Sequence, residues 1–87
     1  MKAPNLEDIR RRIVLHLSES LAVAPETIKG NGVFSELGVD STIGIEMTGS
    51  LSEWLALELD PTIVYDFPTV ALLANELHRL AGVVGRP

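Results

Sequence analysis

A chain of 87 residues, 46% hydrophobic and 22% charged, has the material for one modest core and is too apolar for a disordered tail. Its net charge of −5 disfavours nucleic acid as a partner, and it contains no cysteine for disulfides or thiolate chemistry. No apolar run approaches the roughly 20 residues needed to span a bilayer, and Met1-Lys2-Ala3-Pro4 carries no leader-like apolar stretch, so a cytoplasmic monomer that binds no membrane is expected.

Along the chain, Leu6, Ile9, Ile13, Leu17 and Leu21 recur at steps of three and four and predict a first helix. Asn5 caps its start, and Asp8 sits at the favourable end of the helix dipole. From Ala22 to Val39 the periodicity stops, Pro25, Gly30, Gly32 and Gly38 punctuate, and Val23, Ile28, Val33, Phe34 and Leu37 are spaced like anchors of a long loop. Phe34 to Leu37 can close one helical turn within it.

A second long helix is predicted from Asp40 or Ser41 to about Leu57, with Met47, Leu51 and Leu55 facing inward and Gly44 and Thr48 permitting close packing. Gly44 and Gly49 each cost it about 1 kcal/mol relative to alanine. Its opposite face carries Ser41, Thr42, Ile45, Glu46, Gly49, Ser52 and Glu53. A short segment follows from Thr62 to Asp66, bracketed by Pro61 and Pro68. The last helix is predicted from Val70 to about Leu80, capped by Thr69, with Val70, Leu73, Leu77 and Leu80 inward and Ala81-Gly82 ending it. The expected fold is all-α: a small four-helix bundle of three main, mostly antiparallel helices and one short one, with a long loop between the first two. One domain fills 1–87, with its core over about 5–81 and a tail or linker over 82–87.

The chemistry centres on Asp40-Ser41, for which three readings exist. A nucleophilic serine needs a base and a group to orient it, but His16 and His78 lie on distant helices, G-x-S-x-G is absent, and Asp40 is too weak a base. A simple helix cap accounts for either residue type. In the third reading Ser41 is modified: a hydroxyl in the first turn of a helix is open to another enzyme, and a phosphodiester there meets free backbone N–H groups and the positive end of the dipole.

The surrounding residues favour the third reading. Phe34-x-x-Leu37-Gly38-x-Asp40-Ser41 and, further on, Tyr65-Asp66-Phe67-Pro68-Thr69 resemble the acyl carrier protein family, most closely the carrier domains of polyketide synthases, over nearly the whole chain. The resemblance implies that Ser41 bears a 4′-phosphopantetheine arm taken from coenzyme A by a separate Mg²⁺-dependent phosphopantetheinyl transferase. It also implies that Asp40 contacts that transferase or its metal, and that the arm's thiol carries acyl groups as thioesters without any cysteine in the chain. The implied partners are an acyl-loading enzyme (an acyltransferase or an acyl-activating ligase), a ketosynthase and other polyketide enzymes; the chain itself is not an enzyme. Thr42, where relatives have a bulky apolar residue, and Gly49, where they have a larger side chain, bear on partner identity. Asp40 argues against peptidyl carriers, which usually have histidine before the serine, and Ser52-Glu53-Trp54-Leu55 hints at carriers loaded by ligases. The alternatives are an unmodified helical adaptor and a carrier for fatty acid synthesis.

Ile45, beside Ser41 on the helical wheel and flanked by Glu46 and Glu53, is expected to centre a docking patch that also takes in Thr42 and Gly49. Trp54 is expected to pack in the core or at its rim, and Tyr65 and Phe67 to pack the short helix against the second long one. Arg10, Arg11 and Arg12 read as a solvated face. Both histidines read as surface or packing residues, with no spacing for a metal.

Overall fold

A computed structural model describes residues 4–84. Three long helices, α1 (Leu6–Leu21), α3 (Ser41–Leu55) and α5 (Val70–Val84), are joined through two single-turn helices, α2 (Phe34–Leu37) and α4 (Ile63–Asp66). A 3₁₀ turn at Pro25–Thr27 breaks the long loop, and no strand is present among the described residues beyond one isolated bridge, Val33 with Thr69.

α1 is the hub, packing against both α5 and α3. Its start is fixed by a reciprocal capping box: the Asp8 N–H donates to Asn5 Oδ1 at 2.8 Å, and the Asn5 N–H donates to the Asp8 carboxylate at 3.4 Å. Ile9, Ile13 and Leu17 are fully buried and meet Met47 and Leu51 of α3 and Val70, Leu73 and Leu77 of α5 in one core. These helices are held by an apolar stripe each, since their intrinsic propensity alone leaves segments of this length marginal in water.

The long loop is tied down at few points. Ile28 and Phe34 are buried, Val33 and Leu37 are half-buried, and Val23 is 41% exposed and anchors nothing. Backbone bonds do the rest: the Phe34 N–H donates to the Pro68 carbonyl at 2.8 Å and the Ala71 N–H donates to the Gly30 carbonyl at 2.9 Å. The loop is thereby fastened to the α4–α5 connection and to the first turn of α5, where Thr69 Oγ1 caps by accepting from the Leu72 N–H at 3.1 Å.

Both α1 and α3 end on an alanine in the left-handed region, Ala22 and Ala56, each with φ of 55°. In both cases a serine four residues earlier closes the turn. The Val23 N–H donates to the Ser18 carbonyl and the Ser18 hydroxyl to the Val23 carbonyl; Leu57 and Ser52 repeat the arrangement. α3 therefore stops at Leu55, short of the expected Leu57, with no glycine to mark the place. α5, conversely, runs through Gly82 to Val84 and does not end at Ala81-Gly82. A helical glycine costs about 1 kcal/mol, and the adjacent burial of Ala81 favours continuation. Gly82 to Val84 thus belong to the helix and not to a tail; residues 85–87 of that expected tail lie outside the described ones.

A left-handed alanine costs on the order of 1 kcal/mol that glycine does not. Ala56→Gly is therefore expected to raise the free energy of unfolding by about that amount, read as a higher urea midpoint at unchanged slope; a lower midpoint would show that the serine bridge had already relieved the strain.

Candidate functional site

The site is built by the way α2 hands the chain to α3. α2 closes on Gly38, whose φ of 100° suits only a residue without a Cβ, while the Val39 N–H reaches back to the Phe34 carbonyl at 3.0 Å. Val39 and the extended Asp40 follow. Val39 turns inward against the core, and Asp40 caps α3 by accepting the Ile43 N–H on Oδ1 at 2.9 Å. Ser41 is consequently the first residue of α3. Its side chain is exposed, and no described residue accepts from the N–H groups of Ser41 or Thr42. An exposed hydroxyl beside free N–H donors at the positive end of a 15-residue helix is chemically suited to hold a phosphodiester.

The expected residues fall where the helical wheel placed them. Asp40, Thr42, Ile45, Glu46, Gly49 and Glu53 are all exposed on the same side of α3 as Ser41, and Ile45 is 56% exposed. Nothing lies within 4 Å of a Cβ built on Gly49, so this part of the face is open. Glu46 and Glu53 form no ion pair among the described residues.

The inward side of α3 explains the neighbouring relief. Gly44 is buried against α4, where an added methyl would sit 3.4 Å from the Val64 side chain. This close approach leaves a shallow cleft of about 170 Å³ beside Ser41, lined also by Ile45, Pro61, Thr62, Val64 and Tyr65. A second, smaller cleft of about 100 Å³ lies on the Asp40 side and shares Val64 and Tyr65. Phe67 packs on the core as expected, but Tyr65 does not pack α4 against α3: it is 68% exposed and divides the two clefts. Val64 is buried and Ile63 half-buried on the core, and they take the inward side of this single turn. Tyr65, Pro61 and Thr62 are site-lining residues that sequence reasoning missed; the flanking prolines, which confine the segment to one turn, were the available signal.

The connection into α4 is set by Asp60, whose Oδ1 accepts from both the backbone N–H and the hydroxyl of Thr62, at 2.9 and 2.8 Å. These bonds, the backbone one foremost, hold its carboxyl below the ordinary aspartate range. Among the described residues no group of three or more His, Asp or Glu side chains is placed to hold a metal, and no helix is long and apolar enough to cross a membrane.

Comparison with known proteins agrees with this geometry. Residues 11–77 match the family described as the phosphopantetheine attachment site, and the chain belongs to that family. It is 34% identical over 79 residues to mycoketide-CoA synthase of Mycobacterium tuberculosis, covering 84% of this chain and 2% of that protein. It is 34% identical over 67 residues to a non-reducing polyketide synthase of Aspergillus terreus, covering 76% of this chain and 3% of that one. The chain thus spans only a few hundredths of the length of these relatives. Among solved structures, the HMG-ACPI domain from the CurA module of Lyngbya majuscula superposes with a TM-score of 0.84 at 29% identity, covering 94% of this chain and 83% of that one. A free-standing peptidyl carrier protein of Acinetobacter baumannii superposes at 0.81, also at 29% identity, covering 92% and 96%. The fold is that of an acyl carrier protein of polyketide synthase type, and the group its family attaches covalently is 4′-phosphopantetheine.

Because the folded-state pKa of Asp60 is lowered, the stability it contributes is complete above the ordinary aspartate pKa and disappears as pH falls through the lowered value. Asp60→Asn, which keeps an acceptor for Thr62, is expected to flatten that acidic limb of a plot of Tm against pH. An unchanged limb would place the acid sensitivity elsewhere.

Proposed function

We propose that Ser41 is the residue that receives 4′-phosphopantetheine, transferred from coenzyme A by a separate Mg²⁺-dependent transferase, and that the chain then shuttles acyl intermediates among polyketide-forming enzymes without catalysing a step itself. The observation that carries the reading is the exposed Ser41 in the first turn of α3, beside two N–H groups with no acceptor among the described residues. When bound, the group supplies a thiol that carries acyl chains. Ser41 anchors it through its oxygen; Thr42 and Ser41 offer N–H groups toward the phosphate; Asp40 fixes the start of the helix and presents a carboxylate oxygen toward the transferase or its metal. The cleft between Ile45 and Tyr65 shields one side of the attachment point.

Carriage of this kind works by position. A tethered cargo reaches each active site at high effective concentration, while docking stays weak and largely electrostatic so that the carrier can leave. The face bearing Thr42, Ile45, Glu46, Gly49 and Glu53 fits that task, with an apolar centre and an acidic edge complementary to a basic partner. In this reading an acyltransferase or acyl-activating ligase is the loader and a ketosynthase the recipient, residues 1–87 form one carrier unit, and loading from coenzyme A fits a cytoplasmic setting; the likeness to polyketide synthases supports partners within such a system.

Incubation with coenzyme A, Mg²⁺ and a broad-specificity transferase is expected to add one phosphopantetheinyl group to the intact mass, and Ser41→Ala to abolish the gain. Addition that persists in Ser41→Ala, or none to the native chain, would refute the assignment. Docking is tested separately: Ile45→Ala is expected to lower kcat/KM for loading about ten-fold, mainly through KM, as loss of a central apolar contact does. A fall in kcat alone would place Ile45 outside the docking face.

A further inference from the structure

A depression of about 520 Å³ lies away from Ser41, in the groove between α1 and α3. Its floor and walls include Arg11, Arg12, Leu15 and His16 from α1 and Ser50 and Trp54 from α3. Trp54 is thirteen residues from Ser41, about 20 Å along the helix at 1.5 Å per residue, and half-buried on the core as expected.

Four features of this groove are unused by the attachment site. The guanidinium of Arg12 lies over the Trp54 ring, 4.5 Å from its centroid. Arg12 makes no hydrogen bond or ion pair among the described residues, so its guanidinium N–H groups are uncommitted there. Arg11 is likewise unpaired, whereas Arg10 pairs with Glu7 at 3.5 Å and Arg79 with Glu76 at 2.8 Å. His16 Nε2 is buried and has no hydrogen-bond partner, the sole such side-chain atom among the described residues. Leu15 meanwhile leaves 45% of its surface in water on the same wall.

We propose that this groove is a second docking surface, and that its occupant is an acidic, extended segment of a partner protein bearing an apolar side chain next to its carboxylates. The contact with Trp54 restrains the Arg12 side chain before the partner arrives, which reduces the side-chain ordering that binding costs. A carboxylate is received on the Arg12 guanidinium and on Arg11, and an apolar side chain lies on Leu15 and the exposed rim of Trp54. Asp8 and Glu19, also on the groove's lining, select against a segment whose charge is spread along its whole length. Asp8 is already engaged in the α1 capping box. A partner held here keeps the carrier nearby while leaving the Ser41 end free, and the proposal does not depend on Ser41 being modified.

The test uses the full ¹⁵N-labelled chain, unmodified, titrated with the blocked tetrapeptide acetyl-Glu-Leu-Asp-Glu-amide and with its Gln/Asn isostere. Saturable amide shifts at Leu15, His16 and Ser50 and at the Trp54 indole are expected with the acidic peptide. About ten-fold weaker binding is expected for the isostere, for Arg12→Gln and for Leu15→Glu, the change that losing one charge-assisted contact produces. Far-UV melts confirm that both variants fold, and their loading at Ser41 is expected to match the native chain. Equal affinity for the two peptides, no saturation, or shifts confined to residues around Ser41 would overturn the proposal. So would a concentration-dependent Trp54 emission without peptide, which would assign the groove to a second copy of the chain.

Discussion

One hydrogen bond sets the geometry on which this molecule depends: the Asp40 carboxylate accepting the Ile43 N–H. It decides where α3 begins, and so decides that Ser41 stands in the first turn with its hydroxyl in solvent. A start one residue later would rotate Ser41 out of the helix and move Val39 off the core. The preceding turn at Gly38 makes the bond possible, because its left-handed backbone reverses the chain at the end of α2 and delivers Asp40 in an extended conformation. The same bond leaves the N–H groups of Ser41 and Thr42 without an acceptor among the described residues.

Behind that bond the rest of the fold is a brace. Phe34 is buried under the loop and its N–H is tied to Pro68, the Gly30 carbonyl takes the Ala71 N–H, and α1 sits between α3 and α5 with three fully buried side chains. The long loop is thus fastened to the α4–α5 connection and to the first turn of α5, while the Val23 side chain stays exposed. A proposed attachment point that must visit several enzymes has to be reproducible in orientation while its surroundings stay accessible. Here the cap and the brace supply the first, and the open face of Ile45, Glu46, Gly49 and Glu53 supplies the second.

Features governed by local pattern were legible in the sequence. The stripe from Leu6 to Leu21, the Asn5 and Thr69 caps, the short turn at Phe34 and the outward placement of Ser41 and Ile45 follow from helical spacing and capping chemistry, both of which operate within a few residues. What the sequence hid depends on contacts between elements or on substitutes for the usual signals. Ala22 and Ala56 end helices without glycine because Ser18 and Ser52 bridge the turn, and α5 runs past Gly82 because Ala81 is buried. Tyr65, expected to pack α4 against α3, lies outward, because Val64 and Ile63 occupy the inward side of the turn. The groove of Arg12, His16 and Trp54 joins residues some forty positions apart, so the triple-arginine run read as plain solvated charge.

The central claim is that the first-turn hydroxyl, and no other, is the anchor. Thr42 is the sharpest rival, since it is adjacent, exposed and also hydroxylated. Tandem mass spectrometry of the loaded chain, fragmented between residues 41 and 42, separates them. The account predicts that every fragment ion retaining the phosphopantetheinyl mass contains Ser41 and that fragments beginning at Thr42 lack it; modification found on Thr42, Ser35 or any other hydroxyl would contradict it.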